Sequence, residues 1–296
     1  MTNQFGAALG GLLNNIPDNR LAGDYTDSEG FLCCGKCYTR KECEIDAFGK
    51  KQRVPCACKC KLEEMAAEKA AKKKAAFDQR IAALQREGIT DKAYLNHTFS
   101  ADDKRDQKIS NVCHKYVSSW EDMAADNIGI LFYGGVGTGK SFYACCIANA
   151  LLCRLESVCV TNIPQIMTKL HDFGQKQNVM DKLQKYDLLV IDDLGVERDT
   201  SYSLEQVYNI IDTRSRACKP LIVTTNLTLE ELQHPPNIDY ARIYDRILEM
   251  CPIRLKLIGE SRRKDNAERR RTRAKEIMQA ANEKPAYGDD YSEVYK

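Results

Sequence analysis

The sequence predicts an α/β protein with a five-stranded parallel sheet, preceded by a small cysteine-rich zinc module and a linker helix. Three observations carry that prediction. Short apolar runs alternate with segments of helical periodicity between residues 128 and 257. A glycine-rich turn at 134–141 joins the first of these runs to a helical segment. Seven of the fourteen cysteines fall within residues 33–60. Such alternation gives a parallel sheet covered on both faces, with ligands at the carboxyl ends of its strands.

At 296 residues the chain is long enough for one large domain and a small one. A net charge of +2 says nothing about partners. The opening Met1-Thr2-Asn3-Gln4-Phe5-Gly6 lacks the basic start and apolar core of a signal peptide, and no uninterrupted apolar run approaches a membrane span. The expectation is a cytoplasmic protein without a membrane partner. In that reducing compartment clustered cysteines bind metal, and scattered ones are buried hydrophobes.

Residues 1–30 show no sustained period and are left unassigned. The cysteine module is placed at 31–62. Cys34-Gly35-Lys36-Cys37 has the spacing of a zinc knuckle, in which a tight turn aims two thiolates at one ion. A second pair must come from Cys56, Cys58 and Cys60, after an excursion that can hold a short hairpin. The chosen zinc ligands are Cys34, Cys37, Cys58 and Cys60, with Cys56 the main rival and Cys33 and Cys43 spare. The alternative is a redox-active or merely cysteine-rich loop. So short a segment lacks apolar residues for a core, which leaves Zn–S bonds to supply most of its folding energy.

From 61 to 86 the chain is rich in Ala, Lys, Glu, Arg and Gln, with no internal Gly or Pro before Gly88. That predicts one exposed helix within a linker at 63–95. Lys72-Lys73-Lys74 can touch phosphate backbones or simply be solvated, and the helix reads as a spacer. Residues 99–120 then place Ile109, Val112, Cys113, Tyr116, Val117 and Trp120 on one helical face.

The turn Gly134-Gly135-Val136-Gly137-Thr138-Gly139-Lys140-Ser141 matches G-x-x-x-x-G-K-[ST], the phosphate-binding P-loop. Its glycines let backbone N–H groups curl around a β-phosphate, and the next helix's N-terminus adds positive potential. Lys140 would reach the β- and γ-phosphates of ATP, and Ser141 would ligate Mg²⁺. Further strands are expected at 157–162, 186–192, 220–225 and 253–257, with helices at 163–173 and 203–217 among those between them. The run Leu188-Leu189-Val190-Ile191-Asp192-Asp193 ends a strand in carboxylates. Asp192 would hold Mg²⁺ through water there, and Asp193 would orient or deprotonate the attacking water. Thr224-Thr225-Asn226 ends the next strand, where Asn226 can bond phosphate and lytic water. Arg242 and Arg246 lie four apart on one helical face and are candidates for an arginine finger, or for a surface Arg–Asp network. Gly259-Glu260-Ser261-Arg262-Arg263 can return an arginine to the same nucleotide.

Together these motifs resemble the bacterial DnaC/DnaI-type replicative-helicase loaders and the similar IstB-type transposition ATPases, within the AAA+ class. The likeness covers roughly residues 99–263, and an AAA+ ATPase domain is placed at 96–263. The resemblance implies that Asn226 is sensor 1, Arg246 the arginine finger and Arg263 the sensor 2 arginine. It further implies an ATPase acting in an ATP-dependent homo-oligomer, with a hexameric replicative helicase and single-stranded DNA as partners. Two alternatives stand beside it: a transposition helper ATPase, and a nucleotide-gated DNA-binding adaptor with little hydrolysis. Residues 264–296 form a tail, first basic around Arg269-Arg270-Arg271, then acidic and aromatic. Its basic part reads equally as a DNA-phosphate contact or as a solvated helix.

Overall fold

The computed structural model describes residues 20–47, 49–171, 176–195 and 201–283. The predicted acidic and aromatic end and residues 1–19 lie outside them. The chain divides into two compact units, Met1–Gln79 and Arg80–Lys296, a division that falls inside the expected linker.

In the first unit, β1 (Tyr25–Thr26) pairs antiparallel with β2 (Leu32–Cys33), and β3 (Glu42–Ala47) forms a hairpin with β4 (Lys50–Pro55). The hairpin occupies the excursion between the two cysteine pairs. The apolar interior is small: Phe31, Cys33, Cys34 and Cys58 are buried. The guanidinium groups of Arg40 and Arg53 lie 4.1 and 4.2 Å from the Phe31 ring centre, covering its face. One part of the unassigned 1–30 segment belongs here. Asp24 accepts hydrogen bonds from Lys41 Nζ (2.6 Å) and the backbone N–H of Gly35 (3.1 Å), tying residues 20–30 to the knuckle. That segment is held by polar bonds, which leave no apolar period to read.

Helix α1 (Lys59–Gly88) begins two residues before the predicted start, so Cys60 sits in its first turn. Leu62, Met65 and Phe77 are exposed along it, as expected of a solvated helix.

The second unit carries β5 (Ile130–Gly134), β6 (Val158–Asn162), β7 (Leu188–Leu194), β8 (Leu221–Thr225) and β9 (Ile253–Leu257). All pairings are parallel, in the order β6-β7-β8-β5-β9. The helices are α2 (Gln107–Ser118), α3 (Trp120–Ala125), α4 (Lys140–Leu152), α5 (Ile163–His171), α6 (Lys176–Lys185), α7 (Ser201–Arg216), α8 (Leu229–Gln233), α9 (Ile238–Met250) and α10 (Arg262–Glu283). Side chains alternate across each strand and so build two apolar layers. Leu131, Leu189, Ile191 and Val223 pack with Ile163, Val207, Ile211 and Ile247. Ile130, Phe132, Val190 and Ile222 pack with Ile109, Tyr116, Trp120, Ile147 and Leu151. Burial on both faces explains why the strands read as continuous apolar runs.

Two predicted elements differ in detail. The helical face at 99–120 is broken into a 3₁₀ turn (Phe99–Ala101), α2 and α3, because Asp106 caps α2 and Ser119 leaves helical geometry between α2 and α3. The strand expected at 186–192 instead runs 188–194. Asp187 is engaged by the backbone N–H and hydroxyl of Ser157 at the start, and the ladder bulges between Ile191 and Leu194.

Arg214 of α7 is 1% exposed. Its guanidinium donates to the carbonyls of Leu183, Tyr186, Asp187 and Pro220 at 2.6–3.2 Å, joining the ends of α6, β7 and β8. Arg214→Leu is expected to lower stability by about 3–5 kcal/mol, since it leaves several buried acceptors without donors. A urea midpoint corresponding to a loss below about 1 kcal/mol would show that those carbonyls find other donors.

Candidate functional site

The P-loop runs from the last residue of β5 into α4, at the carboxyl edge of the sheet. Gly137 has φ +79°, and a Cβ there would stand 2.1 Å from the Ser261 hydroxyl oxygen, so only glycine fits. The loop also holds the start of α10, because the Arg262 N–H donates to the Gly137 carbonyl at 2.9 Å. Thr138 is buried and donates to the Gly135 carbonyl at 2.9 Å. Val136 is exposed at the rim.

Lys140 is 4% exposed, and its ammonium donates to the carbonyls of Gly134 (3.0 Å) and Gly135 (2.7 Å) and to Asn226 Oδ1 (2.8 Å). Motifs 86 residues apart thus meet at one nitrogen. Burial pulls the Lys140 ammonium below its ordinary range, while Asp193 and Asp192 oppose that shift.

Asp192 is 4% exposed and held on both oxygens. Thr224 donates to Oδ1 at 2.6 Å and Tyr94 donates to Oδ2 at 2.8 Å. The bulge in β7 turns Asp193 into left-handed backbone geometry (φ +52°), and its N–H donates to Thr224 Oγ1 at 2.9 Å. Burial and the adjacent Asp192 push the Asp193 carboxyl up, against the pull of Lys140 and Arg263.

A cleft of about 350 Å³ is lined by Lys140, Ser141, Asp193, Asn226 and Arg263, together with Gly137 and Gly139. Sequence reasoning missed three other lining side chains, His97, Arg105 and Phe142, and read Arg269 as a DNA-phosphate contact or a solvated residue where the structure sets it at this cleft. Arg262 also lines it, bonded to Asp103 at 3.3 Å, while Arg105 bonds Asp265 at 2.5 Å. Five cationic side chains and the glycine-rich loop fit a polyphosphate, and Ser141 and Asp193, which line the same cleft, fit a divalent cation; Asp192, buried, is not among the lining side chains. The signals for Arg105 and His97 were absent because neither belongs to a spaced motif.

Arg246 is not brought to this cleft. On α9 it bonds Asp212 at 2.7 Å and lies over Tyr208, with its guanidinium carbon 5.6 Å from the ring centre. Arg242 is exposed on the same helix.

In the first unit the sulfurs of Cys34, Cys37, Cys58 and Cys60 all lie within 4.8 Å of one another, a group that could hold a metal ion. Two separations are 3.6 Å (Cys34 to Cys60) and 3.3 Å (Cys58 to Cys60). Tetrahedral zinc with Zn–S bonds of about 2.3 Å asks for S···S separations of about 3.8 Å, so the set fits that ion. Gly35 permits the knuckle, since a Cβ there would overlap the Gly23 carbonyl oxygen at 2.0 Å. The Thr39 hydroxyl, with backbone N–H groups of Cys60 and Thr39, holds the Cys37 thiol down at about 5. The sulfurs of Cys58, Cys34 and Cys37 push Cys60 up to about 12. Without a cation the four sulfurs do not all ionise, since the neighbouring sulfurs keep Cys60 protonated. Cys33 points to Asp27 and the Phe31 carbonyl, and Cys56 to the Arg40 carbonyl.

Residues 58–270 match the family described as IstB-like ATP binding protein. The replicative helicase loader DnaC of Escherichia coli (strain K12) is 32% identical over 117 residues, covering 38% of this chain and 48% of DnaC. The phage-like element PBSX protein XkdC of Bacillus subtilis (strain 168) is 29% identical over 154 residues, 49% of this chain and 56% of XkdC. The chain thus spans about half the length of these curated relatives. Among solved structures, DnaI aligns at 22% identity with a TM-score of 0.49, over 59% of this chain and 94% of that one.

Proposed function

Because the chain belongs to the IstB-like ATP-binding family, we propose that it is a cytoplasmic, magnesium-dependent AAA+ ATPase that places a hexameric replicative helicase on single-stranded DNA. The observation that carries the ATPase reading is the convergence of Lys140, Asn226, Asp193 and Arg263 on one cleft at the sheet's carboxyl edge. The helicase as client is supported by the relatives named as helicase loaders.

In this reading Lys140 and the N–H groups of 135–141 bind the β- and γ-phosphates, and Ser141 and Asp192 hold Mg²⁺. When bound, magnesium held by these residues would supply charge neutralisation for the phosphates. Asn226 positions the lytic water and Asp193 takes its proton. Arg263 covers the triphosphate from the start of α10, and Arg246 serves a neighbouring subunit's nucleotide in an ATP-dependent homo-oligomer. Loss of the γ-phosphate frees Lys140, Asn226 and that neighbour's contact together, which makes hydrolysis a switch. Zinc on Cys34, Cys37, Cys58 and Cys60 would make the first unit rigid enough to grip the client. The exposed Arg270 and Arg271 of α10, next to the cleft-lining Arg269, supply phosphate contacts for single-stranded DNA.

Two outcomes follow. Arg246→Ala should leave ATP affinity within about twofold while lowering DNA- or oligomer-stimulated turnover on the order of 10³-fold, as loss of an arginine finger does. Normal stimulated turnover would remove the finger. For Asp193 the ionised carboxylate is the active form, so turnover falls as pH drops through its raised pKa. The acid limb of the kcat/KM profile, which reports the free enzyme, should therefore lie above the ordinary value of 3.8, and Asp193→Asn should abolish both rate and limb. A limb at or below the ordinary carboxylate range would assign the base elsewhere.

A second reading keeps the motor and changes the client to a transposase, favoured by the family's IstB-like description. Co-purification from the source cell separates them. Recovery of a hexameric helicase, with ATPase activity raised by single-stranded DNA, supports the loader. Recovery of a transposase instead would overturn it.

A further inference from the structure

The segment leading out of α1 reaches Asp192, the carboxylate assigned above to Mg²⁺, through one hydroxyl. Ile89 bridges Val160 on β6, the edge strand of the sheet. Asp91 then caps the 3₁₀ turn Lys92–Asn96 by accepting from the Ala93 N–H at 2.8 Å. Asn149 of α4, the P-loop helix, donates to the carbonyls of both Tyr94 and His97 at 2.8 Å, pinning that turn to the helix that carries Lys140 and Ser141. From this clamped turn the Tyr94 hydroxyl reaches Asp192 Oδ2 at 2.8 Å, across 98 residues of sequence.

Thr224 takes the other oxygen, Oδ1, at 2.6 Å. The carboxylate is therefore fixed at both ends by O–H donors in a site that is 4% exposed, and it cannot rotate without breaking one of them. A metal-holding carboxylate works in a set orientation, and the groups that orient it tune the ion's affinity. Thr224 belongs to the Thr-Thr-Asn strand end. Tyr94 belongs to no nucleotide motif, and only folding brings it to Asp192.

We propose that Tyr94 is a positioning residue for Mg²⁺: its hydroxyl orients Asp192 and thereby links the segment after the linker helix to the strength of magnesium-nucleotide binding. This rests on the assignment of Asp192 to Mg²⁺ above. Tyr94→Phe removes one oxygen and keeps the ring, which packs against the apolar layer on the α4 side of the sheet.

The experiment measures the affinity of a fluorescent ATP analogue for the full chain in Mg²⁺ and in EDTA, for wild type and Tyr94→Phe, with thermal unfolding alongside. The expected result is an unchanged affinity in EDTA and an unchanged midpoint, with the magnesium enhancement reduced about tenfold, the scale of losing an outer-shell partner. A merely structural hydroxyl would shift the midpoint, or both affinities alike, and either outcome overturns the proposal. So does an enhancement equal to wild type. If wild type itself shows no magnesium enhancement, the assignment of Asp192 to the ion falls, and the role of Tyr94 falls with it. That result is distinguishable because it appears before any substitution is made.

Discussion

Lys140→Ala is expected to weaken ATP binding by a factor on the order of 10²–10³. The ammonium is almost fully enclosed and its three N–H donors are held by Gly134, Gly135 and Asn226, so it is fixed at the cleft and a phosphate oxygen takes the place of one of these acceptors. Truncating one partner of a buried, hydrogen-bonded charge pair costs roughly 2–5 kcal/mol, and about 1.4 kcal/mol corresponds to tenfold in affinity. The fold should not suffer. Burial already disfavours the charged lysine, and Gly134 and Gly135 are half-buried and exposed, so water can take over their carbonyls. Calorimetric titration with a non-hydrolysable analogue checks this, with the unfolding midpoint as control. An affinity within tenfold of wild type would mean that the loop does not bind the triphosphate through Lys140.

Removal of metal is expected to unfold the first unit. Purified chain should carry one equivalent of zinc, and chelation or Cys58→Ser should remove it, together with the protection of residues 20–60 from protease. The reason is the scarcity of apolar contact: the interior holds Phe31 and a few sulfurs, with strands of two and six residues around them. In small metal domains of this kind the ligand bonds are the folding energy. Nucleotide binding by the second unit should persist, since its sheet and both apolar layers contain none of these cysteines. Cys33→Ser should keep the full equivalent, because Cys33 faces Asp27 and the Phe31 carbonyl. Less than half an equivalent in the untreated chain would dismiss the metal.

Legibility in the sequence followed the range of the interactions. The P-loop, the Asp192-Asp193 strand end and Thr224-Thr225-Asn226 were readable because each is contiguous and each demands particular residues at fixed offsets. The strand at 253–257 was read to the residue, since the residues around it left no competing period. Asp193 was read as a carboxylate at a strand end, but not as a residue in left-handed geometry beyond a bulge. The partners of Asp24, Arg214 and Tyr94 were not readable at all. Their hydrogen bonds to Gly35, Lys41, Leu183, Tyr186, Asp187 and Asp192 span 11 to 98 residues and leave no periodic mark. Arg246 marks the boundary between the two cases. Its motif was visible, and the fold pairs it with Asp212, 34 positions earlier, away from the cleft.

From the order of residues alone came the α/β class, the parallel sheet and the phosphate loop, because alternation of apolar runs and the backbone needs of a glycine turn are local properties. Three-dimensional packing chose which carbonyls a buried arginine satisfies, which hydroxyls grip Asp192, and how residues 20–30 close the cysteine knuckle. Those choices depend on desolvated polar groups finding partners across the fold, and no stretch of chain encodes where such partners will arrive.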